Sequence, residues 1–298
     1  MRKIRKECFR CIVVLAMMLA FGAVVPELIK AETGDFQTLT PTKEKQKASA
    51  EMDIDGDGIP NTISVSYSSD SQEKYPLGYT QKVYVEVDGK SALVFDVSDQ
   101  PGYGAEAVFA NSGSEGVCMQ LLAYTDNDYI GYNSLFRYDK TSASFHKVLD
   151  LTKGADRYGE KVVGVDDGKI IVEFRCQPAE TGWLHWNRTY VWKDGKLEPE
   201  NDTDEAVSTV VNKFVTDRKL KFTEEAGGKE TAFTLKKGEK VKLKRVKVTE
   251  KKLYAQFQYG KKIGWLRLEN DYGKVYKYDK KGNVKCGYFK GIWKRLVG

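Results

Sequence analysis

Three Asp-Gly dipeptides, each set between two β-rich runs, constrain the fold of this chain more than any other feature. Val83, Val85 and Val87 alternate with polar or amphipathic neighbours up to Asp88-Gly89, and Leu93-Val94-Phe95 follows. Val162, Val163 and Val165 lead through Asp167-Gly168 into Ile170-Ile171-Val172, and Tyr190-Val191-Trp192 runs through Asp194-Gly195 to Leu197. A two-residue Asp-Gly connection turns a chain with the twist of a hairpin, so β-rich runs on both sides of it read as paired antiparallel strands. The expected fold is mainly β, with an antiparallel β domain, propeller-like or sandwich-like, over residues 51–201.

The N-terminus reads as an address. Arg2, Lys3, Arg5, Lys6 and Arg10 precede an apolar run from Ile12 to Val25, and Ile29-Lys30-Ala31 follows. Basic residues, an apolar core shorter than the roughly twenty residues of a membrane span, and a small residue at the end match a secretory signal. Cleavage after Ala31 is expected, with no membrane span left in the mature chain. Residues 32–50, poor in large apolar side chains, read as a flexible leader. Cys118, Cys176 and Cys286 then remain, and one pair plus a thiol or no bridge at all are both open.

Charge divides the rest. Residues 51–202 carry 14 basic and 26 acidic side chains, whereas 203–298 carry 25 and 11. Where the sign changes, Asp202 or Thr203 can cap a helix, Asp204 and Glu205 suit its first turn, and Val207, Val210, Val211 and Phe214 share one face. A connecting helix is expected over 202–219, then a small barrel over 220–298 with a C-terminal extension. Val241 and Leu243 lie on one parity and Val246 and Val248 on the other, so the inward face must slip by one residue, as a β-bulge allows.

Asp53-Ile54-Asp55-Gly56-Asp57-Gly58-Ile59-Pro60-Asn61 is the sharpest motif. Carboxylates at the first, third and fifth positions and a glycine at the sixth reproduce the first part of a calcium loop, since Ca2+ takes six to eight oxygen ligands. Ser64 stands at the twelfth position in place of a bidentate glutamate, and the alternation from Thr62 to Tyr67 leads into a strand. The stretch resembles the calcium loops of FG-GAP and VCBS-type repeats. That resemblance implies Ca2+ held by the side chains of Asp53, Asp55, Asp57 and Asn61 and the carbonyl of Ile59. Asn61 replaces the usual aspartate.

In the basic half, Leu235-Lys236-Lys237-Gly238-Glu239-Lys240-Val241, the Val246 and Val248 strand and the closing Gly264-Trp265-Leu266 resemble a bacterial SH3-like (SH3b) domain. The resemblance implies an exported envelope protein whose domain binds wall peptides or polymers. Lys236, Lys237, Lys240, Lys242, Lys244, Arg245 and Lys247 crowd one hairpin, and an exported domain this basic attracts polyanions. The expected partner is an anionic cell-wall polymer or a surface protein, not nucleic acid, because export removes the chain from the cytoplasm.

Two other readings compete. If residues 182–192 form a strand, Trp186, Arg188, Tyr190 and Trp192 share a face that an exposed sugar platform would need, although aromatic residues on strands more often fill cores. Cys118 with His146 or His185 would make a hydrolase dyad, but no local catalytic signature supports it. The sequence therefore favours an exported, non-enzymatic, calcium-stabilised binding protein of the cell envelope. A calcium-dependent glycan-binding module is the main alternative.

Overall fold

All three Asp-Gly hairpins form. In the computed structural model, which describes residues 36–42, 47–72, 75–97, 104–124, 130–206 and 212–293, β4 (Tyr75–Val87) turns into β5 (Lys90–Asp96). β10 (Gly159–Asp166) turns into β11 (Lys169–Cys176), and β12 (Leu184–Lys193) into β13 (Lys196–Pro199). Both residues of each turn have positive φ: 50° and 73° at Asp88-Gly89, 48° and 71° at Asp167-Gly168, 49° and 74° at Asp194-Gly195. These are the paired left-handed residues of a type I′ turn, which aspartate tolerates and glycine adopts freely. The expected signal segment lies outside the described residues. No helix among them is long and apolar enough to cross a membrane.

The hairpins belong to three successive antiparallel meanders. The first is β2 (Lys47–Met52), β3 (Asn61–Gln72), β4 and β5. The second is β6 (Gly104–Asn111), β7 (Val117–Tyr124), β8 (Ile130–Asp139) and β9 (Ser144–Asp150), with β1 (Phe36–Leu39) added beside β6. The third is β10 to β13. Consecutive antiparallel meanders give the mainly β, antiparallel architecture the sequence suggested.

The second sheet is covered on both faces. Ala107, Phe109, Met119 and Leu121 pack with Val65, Val83 and Val85 of the first sheet. Their neighbours Val108, Ala110, Cys118 and Leu122 pack toward Val162, Val172 and Phe174 of the third. A strand buried on both sides loses its alternation, so β6 and β7 are mostly apolar at successive positions. The polar exceptions on the second face are Glu106, paired with Lys161 at 2.6 Å, and Gln120, fully buried, whose Nε2 donates to Asn133 Oδ1 at 2.7 Å and to the Glu160 carbonyl at 2.8 Å. Its Oε1 accepts Val162 N–H at 2.7 Å, beside the register shift in β10. Gln120 thus satisfies backbone groups that the irregular strand leaves unpaired.

Residues 36–39 and 47–50, expected in a flexible leader, are strands instead. β1 pairs with β6, β2 pairs with β3, and Leu39 and Met52 are buried. Small side chains suffice here because the open edges of existing sheets supply the backbone partners.

The fourth sheet holds seven strands: β14 (Asp204–Glu205), β15 (Lys213–Val215), β16 (Leu220–Thr223), β17 (Thr231–Leu235), β18 (Lys240–Val248), β19 (Leu253–Tyr259) and β20 (Lys262–Leu268). The expected connecting helix over 202–219 is corrected: β14 and β15 lie along one edge of β18, and residues 207–211 are outside the described set. That edge outcompetes the helical pattern, with Ala206 N–H reaching the Lys244 carbonyl at 3.0 Å and Leu243 N–H reaching Asn212 at 2.7 Å. The slip in β18 is real, with the register shifting between Leu243 and Arg245. The described strands do not close into a barrel.

A four-residue helix, α1 (Tyr272–Val275), and a short hairpin of β21 (Lys277–Tyr278) and β22 (Val284–Cys286) complete the fold. The chain then returns to the fourth sheet, where Phe289 lies 4.9 Å from Phe214 and 5.3 Å from Phe257 between ring centroids. The C-terminal extension is therefore part of that sheet's core.

Asp35–Gly298 forms one compact unit, and polar bonds cross the expected boundary near residue 201. Arg188 of β12, 3% exposed, donates to Asp204 Oδ2 from Nε and Nη2 at 3.0 and 2.8 Å, and to Asp156 Oδ1 from Nη1 at 2.8 Å. Burial pushes the Asp204 carboxyl up against the pull of Arg188, while Arg188, facing two carboxylates, is held charged. Nearby, Arg157 Nη1 reaches the Thr249 carbonyl at 2.7 Å. Buried Glu180 accepts the N–H groups of Glu269 and Asn270 at 2.8 and 3.2 Å.

Candidate functional sites

The acidic loop is built by the turn between β2 and β3. Gly56 and Gly58, at φ of 76° and 85°, bend the chain so that its N–H groups point inward. Asp53 Oδ1 accepts Gly56 N–H at 2.8 Å, and Asp53 Oδ2 accepts Gly58 N–H at 2.8 Å. Carboxylate oxygens of Asp53, Asp55 and Asp57 come within 4.8 Å of one another. Asn61 also braces the loop. Its Oδ1 accepts Ile54 N–H at 3.0 Å and its Nδ2 donates to Asp88 Oδ2 at 2.8 Å, closing the loop from behind. Asp88 also accepts Thr62 N–H at 2.8 Å, and these hydrogen bonds hold its carboxyl below the usual range. The sequence reading placed Asp88 only in a turn. Its role as an anchor for the loop depends on β3 and β4 being paired.

Asp55 and Ile54 also edge a cavity of about 420 Å³, opposite Arg137, Tyr138 and His146. Arg137 is occupied there, since its Nη2 lies 3.1 Å from Glu115 Oε2 and its guanidinium sits 4.9 Å from the Trp192 ring.

The lysine cluster is a strand face. Lys240, Lys242 and Lys244 are exposed while Val241 and Leu243 are buried, so the cations step along β18 at about 6.7 Å, the spacing of alternate residues in a strand. Lys213, which the sequence reading left inside a helix, stands directly opposite Lys242 on β15. The other members are partly neutralised: Lys237 lies 3.0 Å from Asp217, Arg245 3.6 Å from Glu205 and Lys247 2.7 Å from Asp202. Lys236, at the turn, is exposed. The one acid in the turn, Glu239, is consumed by the fold: it accepts Tyr259 OH at 2.8 Å and Lys236 N–H at 2.5 Å, which hold its pKa down.

The aromatic row on β12 faces inward. Trp186 and Tyr190 are fully buried and Arg188 nearly so, which removes the sugar platform imagined there. Cys118, Cys176 and Cys286 are free thiols. Burial pushes the Cys118 thiol up to about 12 and raises that of Cys176, so both stay protonated, the opposite of an activated nucleophile.

The GW (Gly-Tryp) dipeptide domain family matches residues 201–270. GW domains are SH3b-like modules that bind components of the bacterial cell wall. No curated protein and no solved structure matches the chain. The match starts earlier than the expected barrel, taking in β14 and β15, and does not extend to the acidic loop at 53–61. Its one Gly-Trp dipeptide, Gly264-Trp265 on β20, is a packing device. A Cβ on Gly264 would stand 2.8 Å from Phe233 Cε1 and 2.9 Å from Phe222 Cβ, so only glycine lets β20 approach these stacked rings. Trp265 is 8% exposed and pairs with Thr223 across β16. The Gly-Trp dipeptide thus holds this segment together.

Proposed function

We propose that this protein is an exported, non-enzymatic cell-envelope binding protein whose GW segment meets an anionic wall polymer through the outer face of β18. The observation that carries this reading is the row of Lys213, Lys240, Lys242 and Lys244, exposed and without an ion pair among the described residues, on a segment similar to cell-wall-binding modules. Exposed cations facing a polyphosphate chain bind by releasing its counterions, so affinity falls steeply with salt. Export rests on the basic and apolar N-terminal run. The test is retention of the full chain on purified walls with and without their teichoic acid, across a salt series, compared with Lys240→Glu/Lys242→Glu/Lys244→Glu. The triple variant should lose most retention. Binding that ignores salt, teichoic acid and the variant would end the proposal.

Calcium at the acidic loop is the second part of the proposal. The donors suit a hard cation, because Asp53, Asp55 and Asp57 supply carboxylate oxygens that keep lone pairs beyond those accepting N–H bonds. Asn61 Oδ1 accepts one N–H and keeps a second lone pair, and with the Ile59 carbonyl it completes the expected donor set. A bound ion would neutralise the three carboxylates and stiffen the β2 to β3 turn. Calorimetric titration of the full chain with Ca2+ checks this. Heat that survives Asp55→Ala unchanged would contradict it.

A further inference from the structure

The C-terminal segment past the GW match carries an aromatic cluster that neither site uses. Trp293 lies 6.3 Å from Tyr272, 5.1 Å from Tyr276 and 6.4 Å from Tyr278, with interplanar angles of 78°, 66° and 89°. Tyr276 is the buried anchor, its hydroxyl donating to the Ala179 carbonyl at 2.6 Å. Tyr272 and Tyr278 are not buried; they are 42% and 44% exposed. Folding leaves these two large rings in water although Val275 and Tyr276 beside them reach the core. Exposed rings gathered at one place offer an apolar surface that a ligand can cover.

The surrounding charge selects the ligand. Residues 271–293 contain six lysines and two aspartates. Lys277, Lys280, Lys281, Lys285 and Lys290 are exposed, and no acidic partner is within ion-pair distance of them among the described residues. The carboxylate of Asp279 is spent inside its own turn, accepting the N–H groups of Lys281 and Asn283 at 2.8 and 2.9 Å. A cationic ligand is disfavoured at such a surface. A neutral sugar would leave the lysines unused.

We infer that the Tyr272, Tyr278 and Trp293 cluster is a second binding site, taking a sugar ring of an anionic glycopolymer while the neighbouring lysines hold its negative groups. The C–H face of a pyranose is apolar and flat enough to cover an aromatic ring, so stacking removes apolar area from water and orients the chain for the charges. The class of polymer rests on the reading of the β18 face, but the site is separate and reads a different feature, the ring in place of the charge.

Two probes separate ring from charge. Dextran sulfate carries sugars and negative groups, whereas inorganic polyphosphate carries only the charge. With the full chain, Tyr272→Ala/Tyr278→Ala should weaken dextran sulfate binding about tenfold and polyphosphate binding less than about twofold, since only the first ligand can stack. Both positions are exposed, and an unchanged melting temperature confirms that folding is intact. Unchanged dextran sulfate affinity, or equal weakening toward both probes, overturns the inference. Lys240→Glu/Lys242→Glu is the companion variant, expected to weaken both probes. Should it weaken neither while the tyrosine variant still separates them, the β18 reading fails and the aromatic site stands.

Discussion

The acidic and basic halves of this protein use charge in opposite ways. In the acidic half, carboxylates turn inward on their own backbone or on a buried partner: Asp53 and Asp88 gather N–H groups, and Asp156 faces Arg188. In the basic half, the few acids are consumed by turns and ion pairs, and Lys240, Lys242 and Lys244 of β18 and the lysines of the C-terminal hairpin are left to solvent. A charge satisfied within the fold organises structure, whereas a charge left over is free for a partner. The sign of the net charge matters less than where its counterparts already are.

The largest break in this contrast is at the seam. Arg188→Ala should cost about 3–5 kcal/mol in denaturant unfolding, because Asp204 and Asp156 then face each other without their cation. Restoring part of that loss with Asp204→Leu in the same chain would show that the penalty is the stranded charge. Phe289→Ala should cost a similar 3–5 kcal/mol, as a cavity opens between Phe214 and Phe257. If it costs nothing, the C-terminal return is not part of the fourth sheet's core.

Gly264→Ala should cost about 1–3 kcal/mol by overpacking against Phe222 and Phe233, measured as a lowered melting temperature. The smallest effect expected is one of pH. Burial raises the folded-state pKa of Glu180, and desolvation does the same to Asp204. A carboxyl whose folded pKa exceeds its unfolded value favours folding below the unfolded value and loses that contribution as pH rises through the folded one. Stability should therefore gain from these groups as pH falls toward the ordinary carboxylate range. Glu180→Gln should flatten part of that slope in melting curves taken across pH.

Much of the local grammar was legible in the residues. The Asp-Gly hairpins, the slip within β18 and the inward glycines of the acidic loop each depend on two to nine neighbouring residues, and each stands as the local chemistry dictates. The segments misread are those whose partners are distant. The run over 202–219 carries helical spacing, yet the open edge of β18 offers it backbone bonds that a lone amphipathic turn does not match. Asn61 reads as a ligand in the linear motif, and its bond to Asp88, which β4 brings beside it, is a contact that motif does not contain.

The sequence by itself determined the strand-and-turn composition, the convergence of three aspartates in one tight loop and the alternation that puts lysines on one side of β18, because these follow from backbone preference and a period of two. Only the tertiary structure decided that Arg188 and Asp204 meet, that Trp186 and Trp265 are interior, that Phe289 returns to the core and that Tyr272 and Tyr278 gather around Trp293. Those outcomes depend on which sheet edges and faces remain open once the hairpins have formed, and no short window of sequence contains that information.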